Sequence, residues 1–314
     1  MNDETAQTWP YSSVFQDDMA QENMVFNPNP DHAFNRCFAA SYCWITSSFA
    51  FLLRYLLGGP LENNSVAVLY SAGSDSSLVA IKMAKRFDQV HLLTFLRKGT
   101  HGTEHVLAGV KRLETHVNSP NKFVHQFIKT DKLLKFVMYE RYWTHYRKHK
   151  KMVLSMCGQC KVSFHWRALI YCLENGIKHI ADGAVRIANV YPEQNEVIML
   201  NRLRQLYATF GITYETPIYE EGELTEQILY ELRYSRNPKV KGQKDDLQFV
   251  CEQQVLYAMF LRSTLHKMPF EEFEKKMAAY YKEKLDMVEE MTKEYLEKGP
   301  DSRLAKLIEG PQES

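Results

Sequence analysis

The 314-residue chain is poor in glycine (14) and proline (11), which excludes collagen-like and low-complexity architectures. It lacks an excess of either charge: 39 Lys+Arg against 38 Asp+Glu leave a net charge of +1. A polybasic nucleic-acid coat and an acidic disordered tail are thereby excluded, while a local basic patch is not. Long apolar runs are missing too. The longest uncharged stretch, Cys37 to Leu53, has 17 residues including four Ser/Thr, at the lower edge of a membrane span. It reads as a buried helix, so no membrane association is expected. The polar start MNDETAQTWPYSS has no basic region ahead of an apolar one, which argues against a secretory leader. The six cysteines are therefore expected to be reduced, in a cytoplasmic setting, without a disulfide framework.

With 45% apolar and 25% charged residues, what remains is an ordinary globular composition, long enough for one large domain or two modest ones. Residues 1–30 read as a loosely ordered lead-in and 31–58 as helix, stopped by Gly58-Gly59-Pro60. SVAVLY (65–70) reads as a strand, followed by a Ser/Gly turn and the helical SLVAIKMAKRF. Further strands are expected at 90–95, 122–130, 177–183 and 211–220, with helices at 103–117 and 162–176 and another ahead of the last strand. This alternation predicts an α/β fold, a doubly wound, mainly parallel sheet with helical N- and C-terminal extensions. From Leu224 onward the pattern reads as wholly helical. Residues 270–299 form a long charged amphipathic helix or helix pair, whose apolar face packs on the core or on a second copy in a homodimer. The expected divisions are 1–60, 61–255 and 256–314.

The chemistry centres on Ser71-Ala72-Gly73-Ser74-Asp75-Ser76-Ser77, between a strand and a helix. Small residues let a backbone approach an anion, and a helix N-terminus adds partial positive charge. Asp75 would need Mg²⁺ beside a phosphate, unless it caps the helix. No G-x-x-x-x-G-K-[ST] loop is present. SAGSDSS resembles the SGGxDS loop of the PP-loop ATP pyrophosphatase superfamily, with Ala72 for the first glycine of its pair, tolerable at a negative φ. The resemblance covers roughly residues 62–255. It implies the adenine nucleotide alpha-hydrolase-like fold, an ATP site at Ser71–Ser77 with Mg²⁺, adenylation of a carbonyl oxygen and release of pyrophosphate. It also makes Thr94 and Phe95 adenine-contact candidates, against their reading as core strand residues.

Cys157 and Cys160 stand three apart, just ahead of the predicted helix, where the helix N-terminus and Lys161 would lower a thiolate pKa. No second CxxC exists, and Cys251 lies 91 residues later. In order, Cys157, Cys160 and Cys251 are similar to the set in the tRNA 2-thiocytidine synthetase type, where three thiolates hold a [4Fe-4S] cluster with one open iron. That likeness implies an ATP-dependent sulfurtransferase drawing on a sulfur donor, with Asp182 as a catalytic, Mg²⁺ or substrate contact. Gly183-Ala184 replace the histidines usual after that strand. Persulfide chemistry at the pair, or Zn²⁺ with a histidine such as His165, remain alternatives. An amide- or nitrile-forming ligase using ammonia is the alternative activity. Cys37, Cys43 and Cys172 read as buried small hydrophobes.

The acceptor is tRNA or a small molecule. Residues 140–151 are basic with Tyr142, Trp143 and Tyr146 interleaved, suited to RNA or to a helix whose aromatic face packs inward. Arg186, Asn201, Arg202 and Arg204 are candidate anion contacts or ordinary surface residues. Lys239, Lys241 and Lys244 flank the approach to Cys251.

Overall fold

The structure, a computed structural model, describes residues 64–119, 121–235, 250–251 and 254–308. All belong to the second of two units into which the chain divides, 1–59 and 60–314. The expected lead-in and helix at 1–58, the run Cys37–Leu53, Cys43, and Lys239, Lys241 and Lys244 lie outside the described residues.

Five strands form one parallel sheet: β1 (Ser65–Leu69), β2 (Gln89–Leu96), β4 (Phe123–Lys129), β5 (His179–Ala181) and β6 (Thr213–Glu215). Their order, β4-β2-β1-β5-β6, puts β1 in the centre. The chain winds outward from β1 through β2 to β4 and then resumes on the other side at β5. The switch point therefore falls between β1 and β5, where doubly wound sheets open a crevice at the carboxyl ends of their strands.

Apolar alternation builds the layers. Ala67 and Leu93 face one core, and Val66, Val68 and Leu92 face the other, because successive strand side chains point to opposite faces. The second core is closed by α1 (Ser74–Ala84) and α2 (Thr103–Val117) through Leu78, Ile81, Val106 and Leu113. The first core receives Val137 of α3 (Asp131–Tyr139), Trp166 and Leu169 of α5 (Met156–Asn175), and Leu203 and Tyr207 of α6 (Asn201–Thr209). Between α3 and α5 lies α4 (Tyr142–His149), and after β6 comes α7 (Thr225–Glu231). Gly176, at φ 67°, ends α5 in the left-handed conformation that glycine adopts without a Cβ penalty.

The C-terminal helices α8 (Gln254–Leu265), α9 (Phe270–Lys298) and α10 (Arg303–Ile308) are part of that first core. The amphipathic stretch is one helix, α9, whose Phe273, Met277, Tyr280, Tyr281, Leu285 and Val288 are fully buried on one face. No described helix is long and apolar enough to cross a membrane.

Three expectations need correction. The chain after Leu224 is not wholly helical. Val250–Cys251 forms β7, antiparallel to β3 (Thr100–His101), and a two-residue bridge leaves no alternation to read. The strand expected at 211–220 stops at Glu215, because the chain turns at Thr216-Pro217, where Tyr219 N donates to Thr216 O and proline has no N–H for a ladder. The Cys157/Cys160 pair lies inside the first turn of α5 rather than ahead of it.

Phe273→Ala is expected to cost about 3–5 kcal/mol, as for a fully buried aromatic. Denaturant unfolding followed by tryptophan fluorescence and by far-UV dichroism should show the transition of this core moving to lower midpoint. An early transition of the C-terminal helices alone would contradict the shared core.

Candidate functional site

The Ser71–Ser77 loop leaves the carboxyl end of the central strand and enters α1 at Ser74. The turn is anchored from the neighbouring strand: Tyr70 N donates to Leu93 O at 2.9 Å, and Thr94 Oγ1 donates to Tyr70 O at 2.8 Å. Ala72 has φ 62°, in the left-handed region, which corrects the expectation of a negative φ at this position. That conformation costs a non-glycine residue about 1 kcal/mol or more. Ser76 Oγ donates to Gly73 O at 3.1 Å and lies 3.3 Å from Ser71 N, bracing the loop from inside. Ser77 is buried beneath Tyr234, whose hydroxyl donates to Ser77 Oγ at 3.4 Å. Ser71, Ser74 and Asp75 are half-buried at the crevice. Burial pushes the Asp75 carboxyl above its usual range, opposed by the Thr225 hydroxyl and helped by Glu226.

Two glycines let the walls close on this loop. A Cβ on Gly109 of α2 would meet Tyr70 OH at 2.7 Å and Ala72 Cβ at 2.8 Å. One on Gly183, after β5, would lie 3.1 Å from Asp75 Cβ and 3.2 Å from Ser76 N. The β1 and β5 loops thus abut across the switch point.

Thr94 and Phe95 are both enclosed. Thr94 is fully buried and spends its hydroxyl on Tyr70 O and His125 Nε2, while Phe95 stacks on Phe164 at 5.2 Å. Both are buried strand residues, the alternative to their reading as adenine contacts.

Asp182 is a buried hub rather than an open contact. Its Oδ2 lies 2.7 Å from Lys161 Nζ, 3.1 Å from His165 Nε2 and 2.9 Å from the Tyr214 hydroxyl that donates to it. Its Oδ1 accepts from Ala184 N at 2.9 Å. Burial works against the charge, yet Lys161 and His165 hold the carboxyl well below the usual range. Lys161 is thereby spent on Asp182 rather than on the thiols, and both carboxylate oxygens are engaged. His165 is held between Asp182 and Tyr207.

The three cysteines converge. Cys251 on β7 is pinned beside the end of β2 by its pairing with Thr100, and the Arg97 guanidinium donates to its sulfur. Cys157 lies in the electrostatic field of Cys160, Cys251, Glu193 and Arg97. Burial pushes the Cys160 thiol up to about 12, opposed by Arg97, and pushes Cys157 up further. This reverses the expected lowering, because desolvation outweighs the helix N-terminus. Cys172 is fully buried in the core, as expected.

Two residues missed in the sequence stand out here. Arg97, 7% exposed, is a buried guanidinium beside Cys251, and its place directly after β2 was the available signal. Glu193 accepts from the Tyr257 hydroxyl at 2.7 Å, and nothing in the sequence singled it out.

The arginines considered for anion contacts are paired: Arg186 with Glu220, Arg202 with Asp286 and Glu289, and Arg204 with Glu196 and Asn201. The aromatics of α4 do not pack inward as a group. Trp143 is 70% exposed and Tyr146 44%, alongside Tyr139 at 63%. Neither a scan of protein-family models nor a search of curated proteins finds a match to this chain.

Asp182→Asn strands the Lys161 ammonium and should cost roughly 3–5 kcal/mol at pH 7. Because the folded pKa is depressed, the carboxylate's contribution is present above the unfolded value of about 3.9 and is lost as pH falls through and below it. The gap between the urea midpoints of parent and variant should therefore begin to shrink near pH 4 and keep narrowing as the pH falls further, toward the depressed folded value. A constant gap would contradict the ion pair.

Proposed function

We propose that this chain is a PP-loop ATP pyrophosphatase that adenylates a carbonyl oxygen and replaces it with sulfur. One observation carries the reading. The Ser71–Ser77 loop and the Cys157/Cys160/Cys251 set lie at the carboxyl edge of the same parallel sheet, beyond the adjacent strands β1 and β2. Neighbouring strands are about 5 Å apart, so nucleotide and sulfur chemistry would share one crevice.

In this reading ATP phosphates lie over the loop, where backbone N–H groups and the start of α1 meet them. Ser71 and Ser74 donate from their half-buried hydroxyls, Ser76 keeps the loop in shape, and Asp75 takes the Mg²⁺ side. The acceptor oxygen attacks the α-phosphorus and pyrophosphate leaves. Sulfur then displaces AMP, a far better leaving group than hydroxide. Cys157, Cys160 and Cys251 would hold a [4Fe-4S] cluster, and their mutual electrostatic influence, the burial of Cys160 and the Arg97 cation beside Cys251 fit an anionic group. When bound, such a cluster supplies an iron without a protein ligand at which sulfide is carried. Arg97 offsets the thiolate charge, and α5 excludes water around Cys160.

The exposed aromatics of α4 favour a nucleobase carried on tRNA over a small molecule. Trp143 and Tyr146 offer stacking faces beside Arg147 and Lys148.

Asp75→Ala and Ser76→Ala are each expected to lower ATP-dependent AMP formation by roughly 100-fold or more. Both should leave iron and acid-labile sulfide, measured on anaerobically purified protein, at the parental level of about four each. AMP formation equal to the parent would refute the loop assignment, and one zinc without iron would move the reading to the ammonia-dependent ligase. Trp143→Ala should weaken tRNA binding about 10-fold at fixed salt, with ATP binding unchanged. Unchanged tRNA affinity would leave α4 out of acceptor recognition.

A further inference from the structure

Away from that crevice, α4 and α9 bring together two histidines and a carboxylate. His145 and His149 stand four apart on α4 and so share one face of it. Glu283 comes from α9, and its Oε2 lies 3.5 Å from His145 Nδ1 and 3.1 Å from His149 Nε2. One ligand atom from each of the three lies within 4.8 Å of the other two. His145 is 9% exposed, and its Nδ1 is buried with no hydrogen-bond partner, an unmet cost for a polar atom in this position. The His149 side chain is 6% exposed. We infer that His145, His149 and Glu283 form a Zn²⁺ site that clamps α4 to α9, with water in the fourth position.

The spacing fits the ion. Tetrahedral zinc with Zn–N and Zn–O bonds of about 2.0–2.2 Å puts neighbouring ligand atoms about 3.3 Å apart. Imidazole ligands select zinc or a similar transition ion over Mg²⁺ and Ca²⁺. The surroundings already hold the rings. Tyr280 packs on His145 and His149 with centroids at 5.9 Å and 5.3 Å, and its hydroxyl accepts from Gln159 Nε2 at 2.7 Å. Gln159 lies between the two cysteines of α5, so the clamp backs the turn that presents them. Lys148 competes for Glu283 through the other oxygen, but its side chain is 63% exposed and can leave. The three ligands are assigned from their own geometry and hold whether or not the function proposed above does.

The test is titration of the chelator-treated full chain with Co²⁺. The first equivalent should give d–d bands without a thiolate-to-metal charge-transfer band, and Zn²⁺ should displace it. His149→Ala and Glu283→Gln should each weaken binding at least about 100-fold, since even outer partners are worth roughly 10–100-fold. Lys148→Met, at an exposed side chain, should tighten binding severalfold by freeing Glu283. Absence of binding, a thiolate band accompanying all bound Co²⁺, or affinity unaffected by His149→Ala and Glu283→Gln would overturn the site. Should those two variants fail to fold, Lys148→Met decides, and an affinity equal to the parent's overturns it.

Discussion

The Asp182 carboxylate is the interaction on which the rest of the crevice depends. It joins three elements that the chain brings from far apart: Lys161 and His165 on α5, Tyr214 on β6, and Ala184 N in the loop after β5. A lone buried charge would be ruinous, so its worth lies in being fully partnered. Two consequences follow. The register of α5 is set relative to β5, and that helix carries Cys157 and Cys160 in its first turn. The loop after β5 is held where Gly183 can abut Asp75 and Ser76. One carboxylate therefore fixes both the thiol turn and the wall of the Ser71–Ser77 loop. A metal contact at Asp182 would dissolve this arrangement, which is why its structural role outweighs the catalytic one suggested by position in the sequence.

Much of the fold was legible because it rests on local periodicity. The boundaries Thr103–Val117 of α2 follow from its apolar spacing and Asn118 at its end, and β1, β2 and β4 are apolar runs bounded by turns. What was illegible depends on distant partners. β7 has two residues and exists because Thr100 meets Cys251 across about 150 positions of sequence. The thiol environment was misjudged for the same reason. Lys161, adjacent to Cys160 in the chain, spends its charge on Asp182, while Arg97, remote in sequence, supplies the cation near Cys251. Sequence neighbours gave the wrong partner because a helix sends adjacent residues about 100° apart around its axis.

The aromatic helix α4 shows the limit in another form. Its eight residues, YWTHYRKH, carry both a wet and a dry face, and composition alone assigns neither. The structure sends Trp143 and Tyr146 to solvent and His145 and His149 toward α9. The polar imidazoles are thus the buried side and the large aromatics the exposed one. This inverts the usual preference, which holds that rings of this size go inside when they can. Burying the imidazoles calls for partners to their ring nitrogens, and Glu283 lies beside both rings.

Ala72 makes a parallel point in the Ser71–Ser77 loop. A left-handed alanine persists only where its surroundings over-determine it. Here Thr94 holds Tyr70 O from one side, and Gly109 permits α2 to pack against Ala72 Cβ from the other. Glycine at position 72 would remove the strain but also the buried methyl that fills the space above Gly109. The alanine therefore exchanges backbone ease for a defined loop shape, with the Ser71 and Gly73 peptides held in one orientation. Preorganisation of that kind matters most where backbone N–H groups do the binding, since they have no rotamers with which to adjust.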